Sequence, residues 1–292
     1  VLVLLALFRV ALGFVSVPLQ YVQIGEVAST IIFVAAPVFA LYFAAKYEWT
    51  TQRALVFLVT GLVIHFGIGT LLGHVILHDR GFAAAVCTAL ATHVGLVMWC
   101  VGLGALLATF LKDKNLLIPV SIFLAAFDIF LVLTPSGVTK QIVTGMPQVL
   151  QTIGYSVPRV TTTATAPTGA PVHVFAYIGP ADFLFMGMFF VALFRFGLRA
   201  RLTLLWLIPT VLVYLILIGW FPAIPLLVPI GLTVLLVNLP EFHLNKEEKL
   251  STLFVVVLAA VIILGGNLLR VRRAGPSQPE PGASAPAPRG SP

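Results

Sequence analysis

Charge is scarce in this chain. Asp, Glu, Lys and Arg make up 9% of its 292 residues, and only ten of those are acidic. With 60% hydrophobic residues and a mean hydropathy of +1.08, the composition excludes both a disordered chain and an ordinary water-soluble domain. Ten-residue segments of alternating polarity are missing, so a porin-type barrel has no basis in the sequence. What remains for a backbone in lipid is a helical bundle, because only helices and closed barrels satisfy their own hydrogen bonds there. Cysteine is nearly absent: Cys87 and Cys100 are thirteen residues apart in one apolar run. That spacing is about 20 Å along a helix, too far for a disulfide within the chain. HExxH, cofactor fingerprints and internal repeats are not found. No basic-start signal with a small-residue cleavage site is visible either, and the chain opens at Val1 already inside an apolar run, which predicts that its natural start lies upstream.

What is present is a series of apolar runs, which predicts an all-α, polytopic bundle with about nine membrane segments. Val1 to Leu19 carries Arg9, read as a snorkelling side chain. Ile24 to Tyr47 has Glu26 near its start, at the interface. Ala54 to Leu77 holds His65 and His74. Gly81 to Leu111 is unusually long and closes on Lys112 and Lys114, which suggests tilt or extension beyond the lipid. Leu116 to Thr134 carries Asp128, Val174 to Phe196 carries Asp182, and Leu202 to Trp220 follows. The eighth segment, FPAIPLLVPIGLTVLLVN, is interrupted by Pro222, Pro225 and Pro229, which remove backbone donors. Leu253 to Leu269 is the ninth. The chain therefore divides into N-terminal helices (1–134), a polar and partly low-complexity loop (135–172), C-terminal helices (173–269) and a tail (270–292). The loop stretch TTTATAPTGAP and the Pro-, Gly-, Ser- and Ala-rich tail from Ala274 to Pro292 are expected to bury no core.

Asp128 and Asp182 dominate the functional reading. A charged side chain at the bilayer centre costs at least about 2.5–3.5 kcal/mol, so an intramembrane carboxylate marks a functional site by default. Asp128 lies six residues before Thr134, and Asp182 eight after Val174. Read as antiparallel helices joined by one loop, both sit roughly 9–12 Å below the same membrane face. Two such carboxyls a few ångströms apart cannot both ionise easily and would share one proton, which supplies the acid and the base for peptide hydrolysis.

FDIF at Asp128, GPAD at Asp182 and PAIP at Pro222 follow one another in the order and with the spacing of the presenilin and signal peptide peptidase family. That family carries Tyr-Asp, Gly-x-Gly-Asp and Pro-Ala-Leu on successive helices. The stretch FDIFLVLTPSGVTKQIVTGMPQVLQ also resembles presenilins, and the likeness covers roughly Ile118 to Asn238. The resemblance implies an intramembrane aspartyl endopeptidase with Asp128 and Asp182 as the catalytic pair. Phe127, Gly179, Pro180, Ala181, Pro222, Ala223, Ile224 and Pro225 would line the substrate site. It implies no cofactor and no metal, and transmembrane segments of other membrane proteins as substrates. Phe127 stands where the family has tyrosine, and Ala181 where it has the second glycine, adding a methyl beside Asp182. The family has five helices before its first aspartate against four counted here, which also fits an upstream helix.

A proton- or cation-coupled transporter is the alternative reading of two intramembrane carboxylates beside a broken helix. His74 and His78 are four apart on one helical face with Asp79 following, a spacing open to a metal, but interfacial packing and hydrogen bonding are the favoured reading. Gly69 and Gly73 are read as a close helix contact. The net charge of +7 does not imply nucleic acid, because the basic residues sit in short loops beside the runs. Lys46, Arg53, Lys112, Lys114, Arg195, Arg199, Arg201, Lys246 and Lys249 fall in one alternating set of loops, and only Arg80, Lys140 and Arg159 in the other. The positive-inside rule places the first set in the cytoplasm and the loop between the aspartates outside it. The Arg270, Arg272 and Arg273 cluster argues the other way for the last run.

Overall fold

The computed structural model describes residues 2–12, 16–68, 87–88, 90–133, 145–158, 161–162, 174–218 and 225–273. Within them the protein is mostly helical. Six helices are long and apolar enough to cross a membrane: Leu19–Ala45, Thr51–Ile68, Leu90–Phe110, Lys114–Leu133, Ala200–Leu217 and Lys246–Gly265.

Helix α1 (Leu2–Leu12) leads through strand β1 (Ser16–Val17) and a Pro18-led turn into α2 (Val22–Ala45). The buried side of α2 is Phe33, Val34, Pro37, Val38, Leu41, Tyr42 and Ala45, a helical stripe, while Ile24, Val27, Ile31, Phe39 and Phe43 face outward. Both sides are apolar, as a helix between core and lipid requires. The next helix, α3 (Thr51–Leu62), starts where Thr50 Oγ1 accepts the Arg53 N–H at 3.3 Å, and it widens into a π-helical turn over Val63–Ile68. A second π turn, Leu90–Val94, opens α4 (Gly95–Phe110). A short turn capped by Asp113 precedes α5 (Leu117–Leu133).

Beyond α5 the described chain runs through α6 (Pro147–Ile153), β2 (Tyr155–Pro158), β3 (Thr161–Thr162) and β4 (Val174–Ile178). Helices α7 (Pro180–Arg195), α8 (Ala200–Ile218), α9 (Leu227–Asn238) and α10 (Lys246–Arg273) complete it. The centre of the bundle is α7. Nearly every residue from Phe183 to Leu193 is buried, because α4 and α2 pack on it and α9 touches it.

Close packing of α4 depends on glycine. A Cβ at Gly104 would stand 2.4 Å from the Leu184 carbonyl oxygen on α7, and one at Gly102 would stand 2.4 Å from the Leu58 nitrogen on α3. The helix thus meets a neighbour backbone-to-backbone on two sides. Dispersion contact replaces the hydrophobic driving force that lipid cannot supply between helices.

Several expectations are corrected. The run from Val174 is not helical throughout: Val174–Ile178 is a strand paired antiparallel with Tyr155–Pro158, and the helix begins only at Pro180. Valine, phenylalanine, tyrosine and isoleucine favour the pleated conformation, Gly179 precedes a proline and is held extended, and Pro180 suits the first helical position. The fold is mostly helical, and a second, parallel strand pair joins β1 and β3. Part of the inter-aspartate loop belongs to the core, since Tyr155 and Val157 are fully buried. Of the long fourth run, Leu90–Phe110 is a 21-residue span, and its earlier part lies largely outside the described residues. In the eighth segment a regular helix starts at Leu227, and Pro229 is accommodated in its first turn, where no backbone donor is required. Arg9 does not snorkel; it hydrogen-bonds to Ser156 of β2. Gly69, Gly73, His74, His78, Asp79, the TTTATAPTGAP stretch beyond Thr162 and the tail beyond Arg273 lie outside the described residues.

Candidate active site

Asp128 projects from α5 five residues before its end at Leu133. Its Oδ2 accepts a hydrogen bond from the Leu227 N–H at 2.8 Å. Leu227 is the first residue of α9, and the first amides of a helix have no partner within it. A carboxylate from a different helix thus caps α9, at the end where the aligned peptide dipoles carry partial positive charge.

Asp182 lies in the first turn of α7 and caps its own helix. Its Oδ2 accepts the Gly179 N–H at 3.1 Å while its N–H donates to the Gly179 carbonyl at 3.2 Å. Gly179 itself is extended, with φ −68° and ψ 151°. A Cβ there would stand 3.2 Å from the Asp182 carboxylate oxygen, so a larger residue would push that carboxylate by a few tenths of an ångström. The Cys100 thiol of α4 donates to the Pro180 carbonyl at 3.3 Å and ties the start of α7 to its neighbour.

The two half-buried carboxyls are close enough to feel each other's charge, and the Tyr214 phenol of α8 is near enough to feel both. They do not meet through extensive packing of α5 on α7. Instead α5 packs on α9 and α10, α7 packs on α4 and α2, and α9 joins the two groups. Each aspartate sits at a helix N-terminus, and these termini offset part of the cost of holding negative charge away from water. Chemically the site offers two carboxyls and hydrogen-bond donors from the backbone, which is sufficient for acid–base work on a peptide.

Asp182 holds the Gly179 amide beside Pro180, Asp128 holds the Leu227 amide, and Pro225 is buried two residues before Leu227. Phe127 turns outward, 40% exposed, and stacks on Phe123 with ring centroids 6.0 Å apart. Ala181, which stands where the resembled family has its second glycine, is exposed. Pro222, Ala223 and Ile224 lie outside the described residues. Three contributors escaped the sequence reading: the Leu227 amide, Cys100 and Tyr214. Only Tyr214 carries a signal, a phenol inside an apolar run. Among the described residues no group of three or more histidine, cysteine, aspartate or glutamate side chains is arranged to hold a metal ion.

Compared with protein-family models, with curated proteins and with solved structures, the chain gives no match to any of them.

Proposed function

We propose that this protein is a presenilin-like intramembrane aspartyl endopeptidase that hydrolyses peptide bonds within transmembrane segments of other membrane proteins. The observation carrying the proposal is that Asp128 and Asp182, on two helices, lie within reach of each other's charge while Asp128 caps the helix that follows PAIP. About nine membrane segments fit this reading. The six long spans would be joined by α1, by α7 and by α9, which is short because its prolines delay its start.

In the mechanism one carboxylate removes a proton from water, and the water oxygen attacks the scissile carbonyl carbon. The protonated partner gives its hydrogen to the carbonyl oxygen, and collapse of the tetrahedral intermediate breaks the C–N bond as the nitrogen receives a proton. No cofactor enters these steps. A substrate helix must first unwind, since its carbonyls are otherwise bonded within the helix. Among the described residues β4 pairs along one edge only, with β2, and it runs directly into Gly179–Asp182. Its other edge would hold an unwound segment beside the carboxyls by strand addition.

Orientation follows from charge. The ends of α4 and α7 meet where Arg195 Nη1 donates to the Ala108 carbonyl at 2.8 Å, and Arg199 pairs with Glu241 at 2.9 Å. These basic residues gather at the end of the bundle away from the aspartates, the cytoplasmic end in this proposal, as in signal peptide peptidases and opposite to presenilins. Substrates would then enter with their N-terminus cytoplasmic, in the membrane that holds the protein (the plasma or inner membrane in a prokaryote).

Incubation of the detergent-purified protein with a generic transmembrane peptide, followed by mass spectrometry, tests the proposal. Wild type should release two fragments, and Asp128→Asn or Asp182→Asn should each lower turnover by at least about 10³-fold with the fold intact. Near-normal cleavage by either variant would overturn it. Two carboxyls beside an interrupted helix also suit a proton-coupled transporter. In that case proteoliposomes would show proton flux abolished by the same substitutions, and no cleavage by wild type.

A further inference from the structure

We infer that Arg9 and His93 are positioning residues: they clamp the β2–β4 sheet in register with Asp182 and thereby determine which peptide bond is cut. The second half of this inference rests on the proteolytic reading; the clamp itself does not.

Arg9 is a cation in the middle of the apolar helix α1, and the groups it bonds are neutral. One guanidinium nitrogen donates to Ser156 Oγ at 2.6 Å, and the other donates to the Ser156 carbonyl and lies 3.1 Å from His93 Nε2. A planar fork that holds both oxygens of one residue fixes its backbone and its side chain together, which the single ammonium of lysine does not. His93 completes the arrangement. Its Nε2 lies 3.2 Å from Ser156 Oγ, and its Nδ1 lies 3.1 Å from Thr92 Oγ1. Three distant parts of the chain therefore meet at Ser156, a residue only 8% exposed.

The clamp leads to the catalytic pair by two routes. Along the sheet, Ser156 is paired with Tyr177, and β4 continues from there through Gly179 to Asp182. Through side chains, the His93 ring meets the Tyr155 ring edge-on at 5.1 Å, and Tyr155 meets Phe183, next to Asp182, at 5.2 Å. Register is the property most exposed to such a restraint. A strand slip of two residues keeps every side chain on its own face yet shifts the strand by about 7 Å. Burial of Tyr155 and Val157 restrains β2 as well, and the clamp adds a polar restraint at the residue between them.

Two measurements on wild type, Arg9→Gln, Arg9→Lys and Ser156→Ala decide the matter. Hydrogen exchange should rise about tenfold in Tyr155–Pro158 and Val174–Ile178 for Arg9→Gln, less for Ser156→Ala, and remain at the wild-type level in α8. Arg9→Lys should behave like Arg9→Gln. Product masses should spread from the wild-type bond to bonds two residues away. Unchanged exchange in both strands, or an equal rise across the whole bundle, overturns the clamp, because the second result means only a less stable fold. Increased strand exchange with an unshifted cleavage site overturns the role in register. If wild type cleaves nothing, the proteolytic reading and the register role fail together, while the exchange data still decide whether Arg9 holds the sheet.

Discussion

Replacing Gly104 with alanine perturbs the seam on which Asp182 depends without touching the site. The added Cβ would stand 2.4 Å from the Leu184 carbonyl oxygen and 2.8 Å from the Met188 nitrogen, both backbone atoms of α7, which cannot rotate away as a side chain would. Ordinary contact begins near 3.4 Å, so α4 and α7 must part by about 1 Å. Overpacking of this kind costs about 1–3 kcal/mol, or roughly 2–10 °C in Tm for a chain of this size. The functional loss should be larger than the stability loss. The same movement strains the 3.3 Å contact of Cys100 with Pro180 and shifts Asp182 relative to Asp128, and a misplacement of about 1 Å in a reacting group costs about 10²-fold in rate. Thermal unfolding and peptide turnover measured on one preparation of Gly104→Ala separate the two effects. Wild-type values for both would refute the reasoning, because a helix seam that absorbs a methyl against backbone cannot be what positions Asp182. Gly265, where an added Cβ would meet no atom within 4 Å, is the control: Gly265→Ala should leave turnover unchanged and raise stability by up to about 1 kcal/mol through helix propensity.

Other outcomes follow from particular residues. Ala181→Gly restores the glycine of the resembled family, yet the methyl is exposed; turnover should stay within about twofold of wild type while stability falls by up to about 1 kcal/mol from the lost helix propensity, read by the same two assays. Asn238→Ala removes bonds from a fully buried amide to the Arg199 N–H, Thr203 Oγ1 and the Val234 carbonyl, so it should lower Tm by about 5–15 °C through a loss of about 2–4 kcal/mol; the surviving folded fraction should cleave at the wild-type rate. A cysteine at Thr163, in a background lacking Cys87 and Cys100, should react with an impermeant reagent on intact cells; labelling only after permeabilisation would give the presenilin orientation and reverse the expected substrate direction.

Composition, with the absence of alternating ten-residue segments, determined that the backbone lies mostly in helices suited to lipid, because only helices and closed barrels satisfy their own amides there. It also singled out Asp128 and Asp182, since a carboxylate in an apolar run stands out whatever surrounds it. Local chemistry was legible where it is short-ranged, as in the prolines that interrupt the eighth segment ahead of α9. The strand at Val174–Ile178 was not, because a short apolar run has the same appearance as strand or helix, and its partner lies sixteen or more residues earlier in the chain. Nor was the lipid face of α2 distinguishable from its core face, both being apolar. Which carboxylate meets which amide, which glycine meets which backbone, and where the Arg9 charge finds its acceptors were decided only by tertiary structure. Those contacts join residues up to 147 positions apart, and a backbone N–H such as that of Leu227 leaves no mark in the side-chain sequence at all.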